Sequence, residues 1–222
     1  MNIGIIVAME KELNLILPLL ENHATEVKNH TIYHIGTVNG NKISLMQCGI
    51  GKVNAAVGAT TMIDSFNPNL VINTGVAAGA GDDVAVMDIV VADSVAHHDF
   101  WCIGEEWGQV PGCPKLFETQ MYDVVDADSM VKTGLIVSGE KFIESKAEVD
   151  AIRKHFPQAM AIDMESAAIA QVCYLKDVPF FCMRVISDTP WCSHDNSRQY
   201  ENFWEDAPKH SFDLIRSVLN SI

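Results

Sequence analysis

Ala161 to Ala170 read A-I-D-M-E-S-A-A-I-A. An apolar strand, Met160 to Ile162, runs straight into Asp163-Met164-Glu165, and a helix of small residues starts at once with Ser166, Ala167, Ala168, Ile169 and Ala170. Side chains this small suit close packing of the helix on a sheet. Glu165 therefore falls at the carboxyl end of a strand and at a helix mouth, the edge where open α/β sheets bind ligands. A glutamate there also suits the positive end of a helix, with no role beyond capping. Two further acids hold equivalent places. Glu12 follows the apolar run Ile3 to Ala8, and Asp188 follows Phe180 to Ile186. Three acids on one sheet edge are more than capping needs.

The chain has 222 residues and shows no linker, low-complexity run or internal repeat. That predicts one domain over residues 1–222, an α/β fold. With 48% hydrophobic residues it has enough apolar side chains for helices on both faces of a sheet. A formal charge of −14 argues against nucleic acid and anionic membranes as partners, since both are bound through clusters of Lys and Arg. It also disfavours a polyanionic substrate. The first apolar run is broken by Glu10, Lys11 and Glu12, which marks a first strand rather than a signal peptide. No apolar segment approaches the roughly 20 residues of a membrane helix. The cysteines form no C-x-x-C pair, and several sit in apolar strand or helix contexts. That usage fits a reducing cytoplasm rather than a disulfide framework.

Along the chain, Ile3 to Ala8 is a strand buried on both faces. Met9 to Leu20 is a helix with Leu13, Ile16, Leu19 and Leu20 on one face. Thr31 to Thr37 and Lys42 to Gln47 flank Asn39-Gly40, a hairpin signal, so the sheet is mixed rather than purely parallel. Gly49-Ile50-Gly51-Lys52 tempts towards a phosphate loop. Its spacing is wrong for one, and Val53 stands where a magnesium-binding hydroxyl would be. Glycines that turn a strand tightly into a helix, about Val53 to Ser65, explain it better. The strand Leu70 to Asn73 opens into a small-residue loop, Thr74 to Gly81, able to lie flat against a ligand. Asp88 to Ala92 is another strand. Ser94 to Gln120 is a long loop, of the kind that is usually functional or makes an interface. Its His97-His98-Asp99 suggests a metal only weakly, because neighbours on an extended chain point apart. No metal and no cofactor is expected. Met121 to Val131 reads as a helix, Thr133 to Val137 as a strand and Lys146 to His155 as a helix. Phe142, after a strand end, is either core or a ring on which a base stacks. Arg184 lies inside the last core strand and needs an acid for a partner. A polar loop holding Trp191, His194 and Tyr200 leads to a C-terminal helix, Ala207 to Leu219.

Acids at the ends of separate strands, a stacking ring and a small-residue loop suit cleavage of a glycosidic bond. The reaction passes through a positive, oxocarbenium-like sugar that fixed carboxylates stabilise. One carboxylate takes a proton from water and another acid protonates the leaving group. Spacing alone does not name that group.

The chain resembles the 5′-methylthioadenosine/S-adenosylhomocysteine nucleosidases of the nucleoside phosphorylase superfamily along almost its whole length. The carriers are the segments Gly4 to Glu12, Cys48 to Val53, Asn73-Thr74-Gly75, Gly108 to Gly112, Ser138 to Ile143, Asp163-Met164-Glu165 and Arg184 to Asp188. The resemblance implies the phosphorylase/hydrolase-like fold, a mixed central sheet flanked by helices on both faces. It implies release of adenine and a thioribose. In that reading Glu12 is the general base for water. Asp188, helped by Ser187, binds and protonates adenine N7. Phe142 stacks on adenine, and the Ile143 backbone bonds its edge. Glu165 grips the ribose hydroxyls, with Met164 under the sugar. Arg184 helps to hold the water and to orient Glu165. Met9, Ile50 and Tyr200 line the pocket for the 5′ substituent. The family is homodimeric, which makes Trp107 and Pro111 to Pro114 interface candidates.

Three departures stand out. Val76 replaces a serine usual near the water. The loop after Asp99 is shortened, with Ile103 and Glu105 near positions usually aromatic. The segment from Asp188 to Tyr200 is lengthened. Rival readings are a purine nucleoside phosphorylase, a hydrolase of another 5′-substituted nucleoside such as aminodeoxyfutalosine, and a non-catalytic nucleoside-binding module. An acid beside the nucleophile repels phosphate and favours water. A binding module needs no paired base and acid.

Overall fold

Among the described residues, seven of the ten strands carry apolar side chains on both faces, which leaves them stable only inside a covered sheet. The computed structural model describes residues 1–28, 30–122, 131–192, 196–206 and 213–222. Strand β1 (Asn2–Val7) leads into helix α1 (Glu10–Ile16) and a 3₁₀ turn, Leu17–Leu19, so the expected first helix ends a turn early, at Pro18. An exposed strand follows, β2 (Glu21–Lys28), which its charged and polar sequence had not announced. It is an edge strand paired only with β3 (Thr31–Val38), and charges on an edge discourage further pairing. Asn39 and Gly40 turn β3 into β4 (Asn41–Gln47) with φ of 48° and 79°, left-handed at both positions as the Asn-Gly pair predicts.

Helix α2 (Lys52–Phe66) then crosses to β5 (Leu70–Gly79). The expected small-residue loop from Thr74 is corrected here: through Gly79 the chain stays extended. Strand β10 (Phe180–Asp188) pairs along it from Val71 to Ala78, and β9 (Ala159–Asp163) adds pairs at Ala78 and Gly79. Small side chains let three strands converge on one. Strand β6 (Ile89–His97) outruns the expected Ala92, so the long loop starts at His98 and contains the short strand β7 (Phe117–Glu118). Strand β8 (Val131–Ser138), helix α3 (Lys146–Arg153), β9 and helix α4 (Ser166–Leu175) follow. Beyond β10 lie α5 (Asn196–Asp206) and α6 (Asp213–Ser221). The polar loop expected around Tyr200 is in fact helix α5. The helix expected over 121–131 falls mostly on 123–130, outside the described residues, as do His194 and the start of the expected C-terminal helix at 207–212.

The sheet order is β10-β6-β8-β9-β5-β1-β4-β3-β2, with β10 also paired to β5. Five strands, β5, β10, β6, β8 and β9, therefore close on themselves, and β1, β4, β3 and β2 extend from β5 as an open wing. Parallel and antiparallel pairs both occur in it, so the sheet is mixed. One apolar cluster joins α2 and α4 to one face through Ala59, Met62, Ile169 and Cys173. Another joins α1, α5 and α6 to the other face through Leu13, Ile16, Phe203 and Ile215. A third packs α3 on β8 and β9.

Candidate active site

The parallel strands β1, β4 and β10, and β9, which runs antiparallel to β5, bring their carboxyl ends to one place. β1 runs into α1 with no loop, so the third residue of the helix, Glu12, folds back over the junction. Its Oε2 accepts the N–H groups of Ala8 and Met9, each at 2.9 Å, and Oε1 accepts the N–H of Val76 at 3.1 Å. Glycine is required at position 75, because a Cβ there would fall on the Glu12 carboxylate. Burial raises the Glu12 carboxyl above its usual range. The Arg184 charge and the three backbone donors oppose that rise.

Glu165 precedes α4, but its side chain makes no cap to it. That task falls to Asp163, whose Oδ2 accepts the Ser166 N–H at 3.2 Å and whose Oδ1 accepts the Ser138 hydroxyl at 2.5 Å. Glu165 is thereby free to reach across the cavity, and its Oε1 accepts the Gly51 N–H at 2.9 Å. Gly51 takes φ of 96°, and a Cβ there would press on Glu140. The fragment Gly49 to Lys52 is thus a tight strand-to-helix turn that presents an N–H to a carboxylate. Burial first, then the neighbouring Asp163 charge, push the Glu165 carboxyl up to about 7.

Asp188 ends β10, almost wholly buried at 1% exposure. The Ser187 hydroxyl donates to its Oδ1 at 2.7 Å, and the Asn196 amide to its Oδ2 at 2.9 Å. Burial raises this carboxyl, while both donors hold it down.

Between these acids lies an apolar cavity, open on one side. Glu12, Glu165 and Asp188 all face into it, joined by Met164 and Ser187. Phe142 and Ile143, from the segment after β8, wall one side, and Met9, Ile50 and Tyr200 wall another. Tyr200 donates from its hydroxyl to Met9 Sδ at 3.2 Å, and its ring stands edge-on to Phe142 at 5.6 Å. Val76 also lines the cavity, between Glu12 and the Ala77-Ala78 floor.

Arg184 differs from expectation. It does not reach the lining or grip Glu165. Its guanidinium pairs with Asp163 at 2.6 Å, bonds Asn73 and donates to the Met183 carbonyl at 3.1 Å. The reason is burial: at 2% exposure a cation survives only beside an acid, and Asp163 supplies it. Its charge still acts on Glu12 and Glu165 through space, lowering both. Trp107, an interface candidate, is tied into its own chain. Its indole stacks on His155 at 4.3 Å and donates to the His98 carbonyl at 2.7 Å. Asp99 pairs with Lys52 at 2.5 Å, and His97 meets Gln171 at 3.0 Å.

Sequence reasoning missed two residues at this site. Asp163 was read as part of a motif, yet it does the capping and neutralises Arg184. Asn196 lies in a segment whose polar sequence reads as a loop, although it opens helix α5. The signal was there: Tyr200, Phe203 and Trp204 stand at helical spacing behind an asparagine, a residue favoured at helix starts.

The fold, a closed ring of strands with three buried acids at one edge of an apolar cavity, is that of the phosphorylase superfamily. A sequence profile described as "Phosphorylase superfamily" matches residues 2–220. The 5′-methylthioadenosine/S-adenosylhomocysteine nucleosidase of Desulfotalea psychrophila is 39% identical over 100% of this chain and 98% of that protein. The nucleosidase of the same description from S. pneumoniae, solved with the transition-state inhibitor MT-ImmA, superposes with a TM-score of 0.93 at 31% identity, covering 100% and 99% of the two chains. The Neisseria meningitidis nucleosidase, solved with methylthio-immucillin-A, gives 0.90 at 34% identity, covering 100% and 99%. The chain belongs to the 5′-methylthioadenosine/S-adenosylhomocysteine nucleosidases of that superfamily.

Proposed function

We propose that the cavity hydrolyses the N-glycosidic bond of 5′-methylthioadenosine and S-adenosylhomocysteine, releasing adenine and the corresponding thioribose. The observation that carries the reading is the convergence of Glu12 and Asp188 on one apolar cavity. Each is buried, and each is held by donors already in place.

The roles follow from position. Phe142 stacks on the adenine, and the Ile143 main chain bonds the base edge. Asp188 holds a proton at its carboxyl and delivers it to N7, so that the base departs neutral. Glu12 accepts a proton from water as the water adds to the anomeric carbon. As that bond breaks the sugar gains positive charge, and the carboxylates of Glu12 and Glu165 stabilise it in a dry site where screening is weak. Glu165 has Oε2 left to accept from the ribose hydroxyls while Oε1 stays on the Gly51 N–H. Met164 lies under the sugar. Met9, Ile50 and Tyr200 surround the 5′ substituent. Arg184 acts as a positioning residue through Asp163.

Incubation with methylthioadenosine, with and without phosphate, tests the reading by chromatography of the products. Adenine and free methylthioribose appear equally in both. Product that forms only with added phosphate would make the protein a phosphorylase instead.

The protein also acts as a homodimer in this proposal. Ile50, Val53 and Val57 present exposed apolar side chains along the start of α2, and Trp101 and Ile103 do so on the loop that the Lys52–Asp99 pair holds beside it. Apolar surface of that extent at a cavity mouth suits a second copy. Sedimentation at micromolar concentration should give a mass near twice that of the chain.

A further inference from the structure

Asn196 is the first residue of α5 and is 3% exposed. Its amide Nδ2 donates to the Ile143 carbonyl at 2.9 Å and to Asp188 Oδ2 at 2.9 Å. The Ile143 carbonyl can only accept, so the Asn196 amide must turn its Nδ2 towards it, and that fixes the orientation of the amide. Ile143 and Asp188 both line the cavity, from two elements with no backbone pairing between them. An sp² nitrogen with two hydrogens, each aimed at one of these acceptors, is also the donor group that adenine carries at its six-position. Carbonyl and carboxylate oxygens have two lone pairs each, so each can serve Asn196 from behind and a base from the cavity.

We propose that Asn196 is a positioning residue for the leaving base: it ties Ile143 to Asp188 and so fixes the separation of the two acceptors that read the amino group of adenine. The proposal rests on the hydrolase reading above and deepens it. Asn196 touches neither water nor sugar. Its influence is confined to the base edge and to the acid that protonates it. Removing the amide frees both acceptors to drift apart. It also takes one donor from Asp188, which then holds its proton to higher pH.

The test compares wild type with Asn196→Ala and the isosteric Asn196→Asp. The latter sets an acceptor against two acceptors. Initial rates are measured on methylthioadenosine and on its 6-oxo analogue, methylthioinosine, over a range of pH. Wild-type hydrolysis of methylthioadenosine without phosphate establishes the underlying reading independently; its absence would remove that reading rather than this one. Given it, each variant loses about ten- to a hundredfold in kcat/KM on the 6-amino substrate. The loss on the 6-oxo substrate is smaller, so the preference for adenine narrows. In Asn196→Ala the alkaline limb of the profile moves to higher pH. An equal loss on both substrates with an unmoved profile would reduce Asn196 to a structural role and overturn the proposal, as would no loss at all. A crystal structure of wild type with adenine decides the matter even where a variant fails to fold. Asn196 Nδ2 stays within hydrogen-bond distance of both acceptors if the proposal holds. Displacement from either sinks it.

Discussion

The two ends of the cavity hold their acids by different means. At the water and ribose end, main-chain N–H groups do the holding: Ala8, Met9 and Val76 for Glu12, and Gly51 for Glu165. At the base end the donors are side chains, Ser187 and Asn196 for Asp188. Main-chain donors come with the fold, carry no rotamer freedom and, Gly51 apart, survive substitution of the residues that supply them. Side-chain donors depend on residue identity and can be altered one at a time. The water end is therefore preorganised by topology, and the base end is tuned by sequence.

Glu12→Gln challenges that comparison with the largest expected effect. Turnover should fall by about a thousandfold, within the range for loss of a general base, while an adenine analogue binds as before, because the base end is untouched. Isothermal titration beside initial rates reads both. Unchanged turnover would remove Glu12 from the chemistry. A parallel loss of binding would show that the two ends are not separable.

Asp188→Asn should cost about a hundredfold in kcat. Its signature is the shape of the pH profile. Burial raises the Asp188 carboxyl, so in wild type the acid form persists above the ordinary carboxylate range and activity declines as that proton is lost. The substitution should abolish that alkaline limb and leave the acidic limb, which reports on Glu12. Survival of the alkaline limb would assign it to another group.

Glu165 allows the comparison to be read in stability. Its folded carboxyl lies at about 7 against an ordinary 4.5, so between those values the folded state binds more protons than the unfolded chain. The contribution is fully present below about pH 4.5 and is lost as pH rises to about 7, a swing of about 3 kcal/mol. Urea midpoints for wild type and Glu165→Gln across that window measure it. The wild-type midpoint declines with pH relative to the variant. Parallel curves would place the Glu165 carboxyl at its ordinary value.

The same division explains what was legible beforehand. Glu12, Glu165 and Asp188 were visible because apolar runs point at them: a strand that ends on an acid at a helix start leaves little choice of place. The pairings that hold the acids were far less visible. Arg184 plainly needed an acid, but its distance in sequence from Asp163, Glu165 and Glu12 is no guide to which of them it meets. The extended course of β5 beyond Asn73 was hidden because alanine and glycine are poor strand formers alone. They are tolerated there because β9, β10 and Glu12 crowd the backbone. The polar, charged strand β2 is held by main-chain bonds to β3 and leaves no apolar alternation to read. Asn196 depended on recognising α5, whose apolar face is short and follows a lengthened segment.

The smallest expected effect comes from Val76→Ser, and it probes the comparison at its most exacting point. The residue lines the cavity, yet its hold on Glu12 is through its own N–H, which any residue keeps. A serine supplies a hydroxyl beside the attacking water in place of two methyl groups. One added hydrogen bond of ordinary strength corresponds to about a two- to tenfold change in rate, here an increase in kcat with adenine affinity unmoved. Stability should shift by less than about 1 kcal/mol, because the position is only half-buried. A change of several hundredfold in either direction would mean that the side chain at position 76, and not the main chain, sets the geometry of Glu12. The distinction between a topologically fixed end and a tuned end would then fail where it is sharpest.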